Sequence, residues 1–398
     1  MITLSDIQQA GKAISAFIHR TPLIPSRSLS LLSGAEVYLK LENLQKTGSF
    51  KVRGAFSKLI RVHEAEVIAA SMGNHAQAVA YAAGKLGKKA AIVMPETAAI
   101  VKQEATRGYG AEVILKGEKF GDALAYALSR KDAVFIHPFD DDDVIAGQGT
   151  AGLEIVEELP DIDAVFVPVG GGGLIAGVAT AVKSLSSRTK LIGVQSEAAP
   201  SASVSFGGDR ICERVPANTI ADGIAVGRVG ERTLALMKRH ADRMLTVADD
   251  AIARAILLFL ERKKLVVEGA GAVPLAALLE HRQEFRGQRV VLVVSGGNID
   301  FTLIDRIIWK GLITSGRIGV FAVVIDDVAG SLHRLTGIMG ARRANILNVV
   351  HDRTAGDVPI GKAKVVFTVE VRGKDHLDEI VAALREQGFA VLGTEPAG

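Results

Sequence analysis

The sequence contains one cysteine, Cys212, which excludes an intrachain disulfide framework and fits a reducing compartment. It also has little net charge. Its 47 basic and 44 acidic side chains leave +3 over 398 residues, which gives no sign of a nucleic-acid surface. Met1–Asp6 lacks a basic region followed by an apolar core, so no signal peptide is visible. No uninterrupted apolar run approaches the ~20 residues a membrane helix needs. Apolar residues make up 48% of the chain, the composition of folded globular structure. The length exceeds one ordinary core and predicts about two or three domains. A soluble, cytoplasmic protein is expected.

Ser5–Asp6 reads as the cap of a first helix running to about Phe17. Val37–Glu42 alternates as a strand. Lys46–Thr47–Gly48–Ser49–Phe50–Lys51 then turns into a helix from Ala55, with Lys51 in or near its first turn. Short buried strands follow at 66–71, 90–95, 112–115, 133–136, 164–169, 191–194 and 290–295, alternating with helices. That alternation predicts two doubly wound parallel-sheet lobes to about residue 313, the smaller (about 43–140) inserted in the larger. Beyond Thr314–Ser315–Gly316, a flexible linker, the pattern becomes βαββαβ, a ferredoxin-like arrangement over 314–398. Asp140–Asp143 reads as a helix-capping turn rather than a metal site.

Four places carry chemistry. Lys51 at a helix N-terminus sits in positive potential, which pushes it towards the neutral amine that attacks carbonyls; the alternative is a solvated lysine. Gly170–Gly171–Gly172–Gly173 between a buried strand and a helix suits a phosphate, because bare backbone N–H groups can approach an anion there. The spacing is not G-x-G-x-x-G, and Gln195 rather than an acid ends the next strand, which argues against a dinucleotide fold. Ser295–Gly296–Gly297–Asn298 places a hydroxyl at the carboxyl edge of the sheet, or caps a helix. Ser71–Met72–Gly73–Asn74–His75 suits a carboxylate, with His75 open to a packing role instead. A phosphate cradle, a carboxylate cradle, a special lysine and a lone serine together point to pyridoxal phosphate and an amino acid.

These segments, with Gly173–Leu174, Ala221–Val226 and Val267–Ala272, resemble in order the motif set of the pyridoxal-phosphate-dependent threonine dehydratases, enzymes of fold type II. The C-terminal part resembles an ACT domain. The resemblance implies that Lys51 forms the Schiff base and removes the α-proton, and that Phe50 packs on the cofactor ring. It implies that Asn74 bonds the ring's 3-oxygen, Gly170, Gly171, Gly172, Gly173 and Leu174 hold the phosphate, and Ser295 meets the pyridine nitrogen. Ser71, Gly73, Asn74 and His75 would receive the substrate carboxylate. The implied reaction is elimination of L-threonine to 2-oxobutyrate and ammonia, with L-serine as a second substrate. Serine or 3-hydroxyaspartate dehydration, and a non-catalytic sensor, are the alternatives. Three departures stand out: Met72 supplies no second acid for racemisation, Gln195 stands where racemases place a metal-binding glutamate, so no metal is expected, and Asp326–Gly330 departs from the usual ACT turn. A homo-oligomer, dimer or tetramer, with a possible amino-acid effector is expected.

Overall fold

The structure, a computed structural model, describes residues 1–393, so the expected C-terminal domain, 314–398, runs past the described residues. The strands in chain order are β1 (Leu23–Pro25), β2 (Glu36–Leu41), β3 (Glu66–Ala70), β4 (Lys89–Met94), β5 (Glu112–Leu115), β6 (Val134–Phe135), β7 (Ala164–Pro168), β8 (Lys190–Ser196), β9 (Arg243–Val247) and β10 (Arg289–Val294). β11 (Ile318–Asp326), β12 (Asn345–Asp352), β13 (Lys362–Glu370) and β14 (Ala390–Leu392) follow. They form three sheets. The large lobe has the order β1-β2-β10-β7-β8-β9, the small lobe β5-β4-β3-β6, and the C-terminal sheet β12-β13-β11-β14.

The small-lobe sheet is parallel throughout. The large-lobe sheet is parallel except at its edge, where β1 runs antiparallel to β2, pairing Leu23 with Lys40. β1 and β9 escape the sequence reading because a three-residue edge strand and Arg243–Val247 present few buried positions. The buried runs of β7 and β10 show the continuous apolar character of strands covered on both faces.

The first helix spans Leu4–Ile14, shorter than expected. Its cap is Thr3, whose hydroxyl accepts from the Asp6 N–H while Asp6 bonds back to the Thr3 N–H. The aspartate run does cap helices, two of them. Asp141 accepts from the N–H groups of Asp143 and Val144, and so starts Asp142–Glu158. Asp140 accepts from Arg232 and Thr233 N–H at 2.9 and 3.1 Å, capping Glu231–His240 from a distant part of the chain.

Helix Asp142–Glu158 carries Gly147–Gln148–Gly149–Thr150–Ala151–Gly152, which does have the G-x-G-x-x-G spacing. Here the glycines lie inside a helix instead of opening one, and they serve close packing. A Cβ on Gly147 would lie 2.5 Å from the Arg53 carbonyl oxygen, and one on Gly149 2.9 Å from that of Gly177. Two neighbouring helices, Lys51–Leu59 and Gly173–Leu185, thereby approach this one backbone to backbone.

The chain divides into two compact units, Met1–Asp300 and Phe301–Gly398, a division that precedes helix Phe301–Thr314 where the linker reading follows it. The second unit folds as βαββαβ after this helix, with a core of Phe321, Val323, Leu335, Val365, Phe367 and Ile380. No helix among the described residues is long and apolar enough to cross a membrane.

Candidate active site

The expected site residues of the first unit gather at the carboxyl ends of its parallel strands, the usual ligand position in such sheets. Ser71 follows β3, Gly170 follows β7 and Ser295 follows β10. Lys51 is the first residue of helix Lys51–Leu59. Val52, Ala55, Phe56 and Leu59 of that helix belong to the small-lobe core, whereas Phe50 packs against the large-lobe core. The turn before Lys51 is stitched to the Ser295 loop. Phe50 N–H donates to the Ser295 carbonyl at 3.0 Å, Gly297 N–H donates to that of Gly48 at 2.9 Å, and Ser49 bridges Gly296. Gly48 has φ of 71°, which suits glycine, and a Cβ there would strike the Asn298 amide.

The Lys51 amine donates to the Pro138 carbonyl at 2.9 Å and lies 5.2 Å from the centre of the Phe50 ring. Burial lowers its pKa to about 8, and the carboxylate of Glu268 works against that shift. Desolvation is therefore the cause of the shift. Pro138 is itself held: His137 Nδ1 accepts from the N–H groups of Phe139 and Asp140, which closes a tight turn.

A buried ionic network anchors the same helix. Arg53, fully buried, donates to Glu42 through Nε and Nη2 at 2.8 Å each and to Glu154 through Nη1 at 2.7 Å. Lys40 adds a 2.6 Å bond to Glu154. With four charges paired and hydrogen-bonded, the first turn of the Lys51 helix is fixed to β2 and to helix Asp142–Glu158.

The glycine tetrad leads into helix Gly173–Leu185, with Gly172 as its cap at φ of 91°. The first N–H groups of that helix have no intrahelical partners and can meet an anion. Glycine is also required there by close packing. A Cβ on Gly171 would lie 2.3 Å from the Phe139 ring, one on Gly172 2.8 Å from Met237 Sδ, and one on Gly173 2.6 Å from Gln148 Oε1. Leu174 is buried in the large-lobe core.

Ser71–Gly73 loops into helix Asn74–Lys85, whose N-terminus faces the site. The His75 side chain takes the packing role of the two that the sequence leaves open. Its ring turns inward to the Ile136 carbonyl at 2.9 Å, and burial lowers its pKa to about 3, so it is a neutral packed imidazole. Only its backbone is left to receive a carboxylate. Met72 packs on the small-lobe core. Gln195 is buried, and its Oε1 accepts from the Ser203 N–H at 2.8 Å.

Sequence reasoning missed Glu268. It is buried and accepts from Asn74 Nδ2 at 2.9 and 3.0 Å. Burial raises its pKa to about 7, against the Asn74 hydrogen bond. Its signal was an acid flanked by Val267 and a small-residue helix, a setting that rarely leaves a carboxylate solvated.

The features fit pyridoxal phosphate. The Gln148 amide and the hydroxyls of Thr47 and Ser49 are buried without partners among the described residues, beside the glycines and beside Lys51. A half-buried lysine of lowered pKa next to an anion cradle defines an α/β enzyme that captures a carbonyl cofactor. The family described as pyridoxal-phosphate dependent enzyme matches residues 14–296, and the chain belongs to it. L-threonine ammonia-lyase of Thermotoga maritima is 49% identical, covering 98% of this chain and 99% of that one. The solved structure of the processed form of threonine deaminase isoform 2 from Solanum lycopersicum has a TM-score of 0.74 at 39% identity, covering 77% of this chain and 86% of that one. Maize serine racemase has a TM-score of 0.73 at 33% identity, covering 78% and 98%.

Proposed function

We propose that this chain is a threonine ammonia-lyase that converts L-threonine to 2-oxobutyrate and ammonia, with L-serine as a secondary substrate. The observation that carries it is the Lys51 amine, buried to a pKa of about 8 beside the glycine cradle, in a chain similar over nearly its whole length to an L-threonine ammonia-lyase. Bound through Lys51, pyridoxal phosphate supplies an electron sink for the α-carbon of an amino acid. Gly170–Gly173 and Leu174 would hold its phosphate, Phe50 would pack on its ring, Asn74 would donate to its 3-oxygen and Ser295 would meet its nitrogen. The N–H groups of Ser71–His75 orient the substrate carboxylate. The free Lys51 amine would take the α-proton of the substrate, a role matched to a base titrating near neutrality. The β-hydroxyl would leave with a proton as water, and the released enamine would take up water to give the ketoacid and ammonia. Met72, turned into the small-lobe core, offers no acid on the opposite face, which favours elimination over racemisation.

The second unit is proposed to be an ACT-like module that binds an amino-acid effector and holds a homo-oligomer together. Its βαββαβ order and the left-handed Gly330 turn support the reading. A cytoplasmic site of action fits the lone cysteine.

The test is a ketoacid assay with threonine, serine and 3-hydroxyaspartate on the cofactor-loaded protein. Threonine should give the highest kcat/KM. No ketoacid from any of the three would overturn the proposal, and a preference for 3-hydroxyaspartate would reassign the substrate. Gel filtration with and without amino acids tests the second unit.

A further inference from the structure

Asn74 is held from both ends. Its Nδ2 donates to both carboxylate oxygens of Glu268, at 2.9 and 3.0 Å. Its Oδ1 accepts from Asn298 Nδ2 at 2.7 Å, and that same nitrogen donates to the Thr47 carbonyl at 2.9 Å. An amide side chain can turn over, exchanging its oxygen for its nitrogen. Here it cannot do so without facing oxygen to carboxylate on one side and N–H to N–H on the other. The holders are themselves fixed. The Glu268 backbone N–H donates to the Gly296 carbonyl at 3.1 Å, and a Cβ on Gly296 would lie 2.4 Å from Glu268 Oε1. A Cβ on Gly48 would lie 2.4 Å from Asn298 Oδ1. Two glycines of the chemistry-bearing loops thus make room for the two residues that grip Asn74.

We infer that Glu268 and Asn298 are positioning residues that lock the Asn74 amide in one orientation, with an Nδ2 hydrogen left to meet an anionic oxygen of the bound cofactor. The inference rests on the pyridoxal phosphate reading and deepens it, because a donor fixed in advance favours the ionised ring oxygen over the neutral one. Asp222, whose charge opposes one on Glu268, is itself paired with Lys102 at 3.2 Å.

The experiment uses the full chain loaded with pyridoxal phosphate, comparing wild type, Glu268→Gln and Asn298→Ala. Glutamine keeps the size of Glu268 but accepts either face of Asn74, and alanine removes the second grip. Each variant should lower the ratio of visible to near-ultraviolet cofactor absorbance at neutral pH and weaken pyridoxal phosphate binding about tenfold, the scale of a lost hydrogen bond to a charged group. In each, kcat should fall more than KM rises. In an Asn74→Ala background neither substitution should change the ratio further. Variants that keep the wild-type ratio and affinity, or a shift that persists without Asn74, would overturn the inference. Asn298 is exposed, so Asn298→Ala carries the test should Glu268→Gln fail to fold. A wild-type protein with no Lys51-dependent visible band would instead overturn the cofactor reading beneath it.

Discussion

The amine of Lys51 donates to the carbonyl of Pro138 at 2.9 Å. A carbonyl can only accept, so this contact gives the amine a resting place whether or not it carries an extra proton. Its cost is burial, and burial sets the titration near 8.

Without cofactor, the reaction of Lys51 with an aldehyde probe should therefore rise about tenfold per pH unit up to about pH 8 and level off above it. Mass spectrometry of the borohydride-trapped adduct measures this. A profile still climbing at pH 10 would show a solvated lysine.

The same shift has a sign in stability. Between about 8 and 10.4 the unfolded chain binds more protons than the folded one, so the Lys51 penalty is present below pH 8 and disappears towards pH 10.4. Lys51→Met without cofactor should be about 2 kcal/mol more stable than wild type at pH 7, with the gap closing by pH 10.5. Urea denaturation across this range reads the difference directly.

Glu268 behaves in the complementary way. Its folded pKa is raised to about 7, so its contribution is greatest at acid pH and is lost as pH rises from about 4.3 through 7. Glu268→Gln should match wild type near pH 4 and exceed it by about 1–3 kcal/mol at pH 8 in the cofactor-free protein. Equal stabilities at both ends would mean that burial does not raise the Glu268 pKa.

Arg53 lies two residues from Lys51 and holds Glu42 and Glu154. Arg53→Met leaves two buried carboxylates without their main partner, and a loss of about 3–5 kcal/mol is expected. A lowered thermal midpoint, together with weaker cofactor retention at temperatures where the fold survives, would show that the network also places the Lys51 helix.

Much of this was legible in the sequence because the parallel strands are covered on both faces and announce themselves as short apolar runs. Lys51, Gly170–Gly173 and Ser295 were legible as punctuation at strand ends. His75 was not, since a histidine at a helix start looks the same whether its ring faces the ligand or the core; Ile136 decides it. Glu268 was hidden because its role depends on Asn74, which is 194 residues away in sequence. The glycines of Asp142–Glu158 were hidden for a similar reason: their partners, Arg53 and Gly177, lie on other helices.

Those glycines bear on how the enzyme can move. The carbonyls of Arg53 and Gly177 press on opposite flanks of one helix at distances that leave no room for a methyl group. Sliding the Lys51 helix or the glycine-loop helix past it would drive backbone into backbone. The amine and the glycine loop are therefore tied to each other through one helix. The Asn74 amide, gripped by Glu268 and Asn298, is tied to the same turn through the Thr47 carbonyl. The three loops behave as one rigid seat.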